Sequence, residues 1–565
     1  MTNHPKNISA LMPGLKRLKS YQKAWVWADV LAGVTVAAYL IPQCMAYGEL
    51  AGLEPVVGLW AILPPMILYT LFGSSPQLSV GPESTTAVMT AAAISSLTLT
   101  QGSNYASLAT VLAGVVGLVC IIGYGFRLGF LASLLSKPIL IGYMAGVAII
   151  MISRQLSKIS GIPLESGTPL GEVTEFCAKI SQLHWPTFIL SLLVLVFLFA
   201  VARYSPKSPG PLLAVLLATA TVATFKLDRY GVALVGPIPA GLPHLALPII
   251  PLEQFLPLIA SAIGIAIVGY SDNVLTARAF ASRNHYQVDA NQELLALGIA
   301  NLGNGLMQGF PISSSGSRTT IGDSLGSKSQ VFSLVALIVV IFVLLFLRPV
   351  LALFPKPALG AIVIYAATKL IEIPEFIRLK KFRRTELALA LSTTVGVLLT
   401  DILVGVAIAV SLSILDLLAR ISHPHDAVLG EVRGMPGLHD IADWSETKTI
   451  PGLVIYRYDA PLCFANVEDF KRRAMDAIEA EWVPVEWFVL NTEAIVELDL
   501  TAVDALREFY NELKVRNITL AMARVKQDLY VQLEGSGLLT LMGSDHVYFT
   551  LHTAIAAFFE RHEDD

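Results

Sequence analysis

The stretch GFPISSSGSRTT, Gly309 to Thr320, holds six hydroxyl side chains, one arginine and one proline between strongly apolar segments. A second stretch of similar make-up, QLSVGPESTTAVMTAAA, runs from Gln77 to Ala93. Each has a short extended lead, a break at Gly-Pro or Phe-Pro, a hydroxyl cluster and then a short helix-capable run. A helix that begins inside a membrane presents unpaired N–H groups and the positive end of its dipole. Two such ends facing one another make an anion site. Ser313, Ser314, Ser315 and Ser317 are placed to cap the second helix or to donate to an oxyanion, and Ser84, Thr85 and Thr86 do the same for the first. The competing role for each hydroxyl is local capping of its own backbone.

Two charges accompany the pair. Asp272 lies inside the apolar run IAIVGYSDNVLTARAF, and Arg318 lies one turn into the second short helix. A charge at the bilayer centre costs about 2.5–3.5 kcal/mol on insertion scales, so such groups are paired or functional. In one reading Asp272 and Arg318 neutralise each other. In the other, Asp272 takes a coupling cation, H+ or Na+, and Arg318 takes the substrate's charge. Glu83 opens the first short helix, where it suits the dipole or serves as a second proton site.

These residues need a membrane scaffold, and the composition supplies one. The chain has 565 residues, 54% hydrophobic and 15% charged, with mean hydropathy +0.65; soluble domains carry about 25% charged residues. A bilayer core takes about 20 apolar residues per helix. Clear segments are Val30–Met45, Val56–Phe72, Ser107–Tyr124, Leu131–Ile152, Phe188–Arg203, Pro211–Phe225, Leu256–Phe280, Val331–Leu347, Ala358–Leu370 and Leu387–Leu418 as two short spans. Ser84–Ser96, Leu294–Met307 and Ser315–Leu325 complete fourteen. Each break is third in a block of about seven. Seven is odd, so the halves insert with opposite orientation and the short helices meet from opposite faces. Interrupted segments at matching positions of two halves point to a transporter's binding site.

Lys6, Lys16, Arg17, Lys19 and Lys23 precede the first span, and RLKKFRRTE gathers Arg378, Lys380, Lys381, Arg383 and Arg384. The positive-inside rule puts both groups on the cytoplasmic side of a plasma (inner) membrane. Charge becomes frequent after about Arg420, and a soluble domain is expected there. GLVIYRYD, WFVLNTE and ITLAMARV read as strands, and NVEDFKRRAMDAIEAE and TAVDALREFYNELKVR as amphipathic helices. The expected division is 1–28 cytoplasmic segment, 29–421 transport domain, 422–450 linker and 451–565 cytoplasmic α/β domain. The four cysteines show no disulfide or metal spacing, no secretory signal is visible, and no Gly-rich phosphate loop supports ATP-driven transport. No histidine accompanies the serines of the spans, so no hydrolase is expected, nor a cofactor, nor a nucleic-acid partner.

The chain resembles the sulfate permease (SulP) family of anion transporters. LAGVTVAAYLIPQCMAYGELAGLEPVVGLWA resembles the signature of the first two spans, and SVGPES the entry to the third. HYQVDANQELLALGIANLGNG and FPISSSGSR resemble the eighth-to-ninth connection and the tenth-span motif. YRYDAPLCFANVEDFKRR and FVLNTEAIVELDLTAVDAL resemble the STAS domain that follows. The resemblance implies a polytopic α-helical fold of two inverted seven-span repeats. A core of spans one to four and eight to eleven slides past a gate made of the rest. It implies that Gln43, Ser313, Ser315, Ser317 and Arg318 belong to the anion cavity. It implies a cation role for Asp272 and Thr276. Ser314 and Gly316 depart from the Gly and Thr of the bicarbonate-transporting members, which points away from Na+. In DLTAVDAL, Thr501 stands where anti-sigma antagonists carry a phosphorylated serine; its expected role here is an N-terminal cap. The expected activity is H+-coupled sulfate uptake by a homodimer surrounded by membrane lipids. Bicarbonate or dicarboxylate transport, an uncoupled channel, and an anion sensor signalling through the soluble domain are the alternatives. The last two leave Asp272 without a task.

Overall fold

The computed structural model describes residues 11–101, 105–133, 136–166, 168–206, 208–246, 250, 252–400, 402–444 and 446–563. Lys6 of the basic cluster lies outside them. The chain divides into two units, Met1–Ser413 and Ile414–Asp565.

Fourteen helical segments account for the expected spans. They are α1 (Val26–Leu50), α2 (broken, Pro55–Trp60 and Leu63–Phe72), α3 (Ser84–Gln101), α4 (Tyr105–Gly125), α5 (Lys137–Ser160), α6 (Trp185–Tyr204) and α7 (Gly210–Phe225). The second seven are α8 (Leu252–Asn284), α9 (Ala290–Leu306), α10 (Gly316–Ser324), α11 (Val331–Phe346), α12 (Lys356–Leu370), α13 (Arg384–Leu399) and α14 (Ile402–Ser422). The architecture is a polytopic α-helical membrane fold of two inverted seven-span repeats. By length and hydropathy, eight helices among the described residues reach across a membrane on their own, and α3 and α10 are not among them. The nine residues of α10 rise only about 14 Å, half of a bilayer core.

α10 is therefore too short to cross on its own, and the leads of α3 and α10 pair. β1 (Val80–Gly81) runs antiparallel to β2 (Ser313–Ser314), with Val80 opposite Ser314 and Gly81 opposite Ser313. Ser315 N donates to Ser79 O at 2.8 Å, and Ser79 N donates to Thr319 Oγ1 at 3.0 Å. The breaks at Pro82 and Pro311 thus satisfy each other's backbone, which irregular chain at this depth requires.

Buried carboxylates fix the surrounding helices. Glu293 of α9 accepts from Tyr69 Oη, Ser74 N, Ser74 Oγ and Asn273 Nδ2 at 2.7–3.0 Å, which holds the turn of α8 that carries Asp272. Asp29 of α1 accepts from Lys328 N and Ser329 Oγ, each at 2.7 Å, just ahead of α11. α4 and α9 touch backbone to backbone: a Cβ on Gly117 would meet Leu302 N at 2.6 Å and Gly298 O at 2.7 Å.

The second unit contains a six-stranded sheet of order β4-β3-β5-β6-β7-β8. The strands are β3 (Asp426–Glu431), β4 (Leu438–Asp440), β5 (Leu453–Tyr458), β6 (Trp487–Asn491), β7 (Thr519–Ala523) and β8 (Val547–Tyr548). β5 to β8 are parallel, and β3 is antiparallel to both β4 and β5. Val454, Tyr456 and Tyr458 face one core with Phe470 and Phe509. Leu453 and Ile455 face the other with Phe558. Helices on both sides cover the two faces, as a mostly parallel sheet demands.

Two expectations are corrected here. Residues 422–450 are not simply a linker: β3 and β4 fall within them. The strand signal is short: Ala427 and Leu429 of β3, each 5% exposed or less, turn into one core and the half-buried Val428 into the other. Thr501 is not the cap of its helix, Leu500–Val515. Asp499 caps it, accepting from Ala502 N at 2.8 Å, because the helix starts one residue before the threonine, which is exposed.

This arrangement sets where the soluble domain begins. A fragment of 423–563 is expected to unfold cooperatively. One of 451–563 is expected to be less stable by about 3–5 kcal/mol, from the lost burial of β3 side chains. Urea unfolding of the two fragments side by side measures the difference.

Candidate functional site

Two half-helices start at the β1–β2 ribbon, and they end differently. At α3 the chain caps itself. Glu83 Oε2 accepts from Thr85 N at 2.7 Å and Oε1 from Ser84 Oγ at 2.8 Å, while Thr86 Oγ1 donates to Glu83 O at 3.2 Å. The carboxylate answers the positive end of that helix dipole. At α10 the N-cap residue is Ser315, and no side chain caps the helix. Ser315 Oγ and Ser317 Oγ lie 3.2 Å apart. A Cβ on Gly316, the first helical residue, would meet nothing within 4 Å. The N-terminus of α10 therefore opens on space.

That space is a cavity of about 440 Å³. One wall carries Gln43 of α1, Glu83, Ser84 and Thr85 at α3, Asp272 and Thr276 of α8, and Ser314, Ser315 and Ser317 at α10. The facing wall carries Met144 of α5, Tyr365 and Lys369 of α12, and Glu372 just beyond it. The Lys369 ammonium lies 5.3 Å from the Tyr365 ring centre.

Arg318 sits behind this wall and is fully buried. Its Nη1 donates to Pro82 O at 2.8 Å and to Gln43 Oε1 at 3.3 Å, and its Nε donates to Ser79 Oγ at 3.3 Å. Gln43 Nε2 donates in turn to Tyr47 Oη at 2.9 Å. The guanidinium thus spans the first break and puts a positive charge next to the open end of α10. Among the described residues no ion pair joins Arg318 to Asp272. Arg318 Nη2 is buried here without a hydrogen-bond partner, and the Ser314 side chain lies against Asp272.

The sequence-selected residues separate into groups. Gln43, Thr85, Asp272, Thr276, Ser314, Ser315 and Ser317 line the cavity. Glu83 and Ser84 line it too, but the Ser84 proton goes to Glu83, so that hydroxyl is not free to donate to an anion as expected. Ser313 turns the other way, toward Gly269 of α8, where a Cβ would lie 3.4 Å from its own Cβ; alternate strand residues point to opposite faces. Sequence reasoning missed Tyr39, Tyr47, Met144, Tyr365, Lys369 and Glu372. Only Lys369 carried a signal, as a lone cation at the end of the apolar run Ala358–Leu370. The others look like ordinary span residues.

Comparison with known proteins follows the same lines. The Sulfate permease family description matches residues 26–393, and the STAS domain matches residues 445–554. A probable sulfate transporter of Mycobacterium tuberculosis (strain H37Rv) is 52% identical over 549 residues, covering 97% of this chain and 98% of that protein. The chloroplastic sulfate transporter 4.1 of Arabidopsis thaliana is 30% identical over 570 residues, covering 97% of this chain and 82% of that protein. Among solved structures, murine Solute Carrier 26 family member A9, an anion transporter in the inward-facing state, superposes with TM-score 0.89 at 22% identity. That match covers 98% of this chain and 95% of the other, and it fixes the fold.

The buried guanidinium yields a stability prediction. Arg318→Lys keeps the charge but cannot span Pro82 O, Gln43 and Ser79 at once. It is expected to cost about 2–3 kcal/mol, the range for a lost hydrogen bond to a charged group. Thermal unfolding of the detergent-solubilised protein reads this out, with Lys328→Arg at a surface loop as reference.

Proposed function

This chain belongs to the sulfate permease family, and from that premise we propose that it is a secondary active inorganic-anion transporter that takes up sulfate with H+. The observation that carries the proposal is the open N-terminus of α10. It faces a cavity that holds hydroxyl donors, a cation in its wall and the carboxylate of Asp272. A desolvated oxyanion is costly unless donors replace its water. Ser317, the N–H groups that begin α10 and the positive end of its dipole supply those donors. The names of the relatives, sulfate transporters, support sulfate as the substrate.

Asp272 accepts the coupling proton. Binding a proton there removes the negative charge that faces the incoming anion, so an H+ gradient drives accumulation. Thr276, one turn on, shares the cavity. Glu83 is already engaged as a cap and takes no part in coupling.

The transport step is an elevator-like movement of α1–α4 and α8–α11 past α5–α7 and α12–α14. The division of the cavity wall supports it: donors and Asp272 come from the first set, and Met144, Tyr365 and Lys369 from the second. Rocking or sliding of one repeat-derived bundle against another gives alternating access. The cavity reaches Glu372, close before the basic loop Arg378–Arg384. With that loop and the soluble domain in the cytoplasm of a plasma membrane, the cavity opens inward. The chain works as a homodimer.

Uptake of labelled sulfate, bicarbonate and succinate into proteoliposomes, under imposed pH or Na+ gradients, tests this reading. Sulfate driven by an inward pH gradient at zero Na+ is the expected result. Asp272→Asn is expected to exchange anion but not to concentrate it under that gradient; a variant that still concentrates sulfate removes Asp272 from coupling. Gly316→Ala, which clashes with no protein atom, is expected to fold normally and to weaken sulfate binding about 10–100-fold by intruding on a charge-assisted hydrogen bond.

A further inference from the structure

A short helix, Ile373–Phe382, follows α12 with the sequence IPEFIRLKKF. Leu379 is buried against Ile141 and Ala390, with Phe376 and Leu387 packed beside them. On the opposite side Ile373 and Ile377, one turn apart, are 63% and 51% exposed, and Phe382, on the side of Glu375 and Arg378, is 68% exposed. These apolar side chains stand next to Arg378, Lys380 and Lys381, all exposed. A helix with an exposed apolar stripe beside cations lies in the bilayer interface.

A cavity of about 430 Å³ adjoins this helix, outside the anion site. Lys137, Arg378, Lys381 and Phe382 line it with two carboxylates, Glu375 and Glu386. Lys137 opens α5, far away in sequence. Glu375 draws it in, at 2.8 Å from Nζ, and Arg378 reaches the same carboxylate at 3.4 Å. Topology alone asks only that basic residues flank spans on one side of the membrane. It does not ask that cations from two distant segments meet at one cavity beside an apolar stripe. Three cations face two carboxylates here, and Lys380, Arg383 and Arg384 of the same loop enlarge the positive excess.

We propose that this cavity binds the headgroup phosphate of an anionic phospholipid, with Lys137, Arg378 and Lys381 around the phosphate, an acyl chain along Phe382, and Ile373 and Ile377 seating the helix in the lipid. Basic pockets between helices at a membrane surface recognise such headgroups. The apolar stripe selects a lipid over free phosphate, because it has no other contact to make with a small ion. The site lies on α5, the Ile373–Phe382 helix and the start of α13, so on the proposed transport step the lipid is held by the bundle that stays fixed while the anion site moves. The chemistry of the site does not depend on that movement.

The test is lipid binding to the full-length protein by native mass spectrometry, comparing phosphatidylglycerol with phosphatidylcholine. Phosphatidylglycerol is expected to bind at least about ten-fold more tightly, with about a five-fold loss for each of Arg378→Gln and Lys381→Gln. Arg378→Lys keeps most of the preference, and Lys514→Gln on the soluble domain keeps all of it. Ile377→Ser with Phe382→Ser weakens phosphatidylglycerol binding, and soluble glycerol phosphate does not compete. Equal binding of the two lipids, or a preference unchanged in both Gln variants, overturns the proposal. Competition by glycerol phosphate as effective as by the lipid also overturns it, and makes the cavity a free-phosphate site.

Discussion

The β1–β2 pair carries the most demanding constraint in the molecule. Two helices that begin in mid-membrane leave backbone groups that no lipid can satisfy. The chain meets this by joining the breaks to one another, with Val80 opposite Ser314 and Arg318 reaching across to Pro82 O. Each break is tolerable only because the other exists. The buried carboxylates of Glu293 and Asp29 then lock the helices around the pair. A distortion of the ribbon would orphan backbone groups in both halves at once.

The two half-helices share a design but not an outcome. The α3 end is filled by the chain's own Glu83 carboxylate, and the α10 end is left open above Gly316. On the proposed function, the single open end gives the anion one seat. The Glu83 carboxylate, Asp272 and the hydroxyls of α10 share one cavity, and the Arg318 guanidinium sits in the wall behind them.

Much of this was legible in the residues. Paired Pro breaks with hydroxyls, placed third in each half, pointed to the cavity at the start of α10, because helix interruption leaves a strong pattern. Asp272 and Arg318 stood out because charge is rare in apolar runs. What the pattern could not carry was direction. It did not tell that Ser313 turns toward Gly269 while Ser314 faces the cavity, since that depends on the strand register. Glu83 was legible as a dipole partner, but its hold on Ser84 depends on side-chain geometry. Apart from Lys369, the residues of α5 and α12 on the facing wall were invisible because an apolar span looks alike from every side. β3 escaped for a related reason: Ala427 and Leu429 on one face and Val428 on the other make too short a run to register.

The central claim is that α10, and not α3, receives the anion. Selenate carries the charge and shape of sulfate and scatters anomalously. Its position in the full-length protein, located by anomalous diffraction at the selenium edge, is the most direct measurement. The account predicts one peak over the start of α10, in hydrogen-bonding reach of Ser317 and the backbone of Gly316 and facing Asp272. A peak at the Glu83 end of α3, or a cavity left empty at saturating selenate, would contradict it.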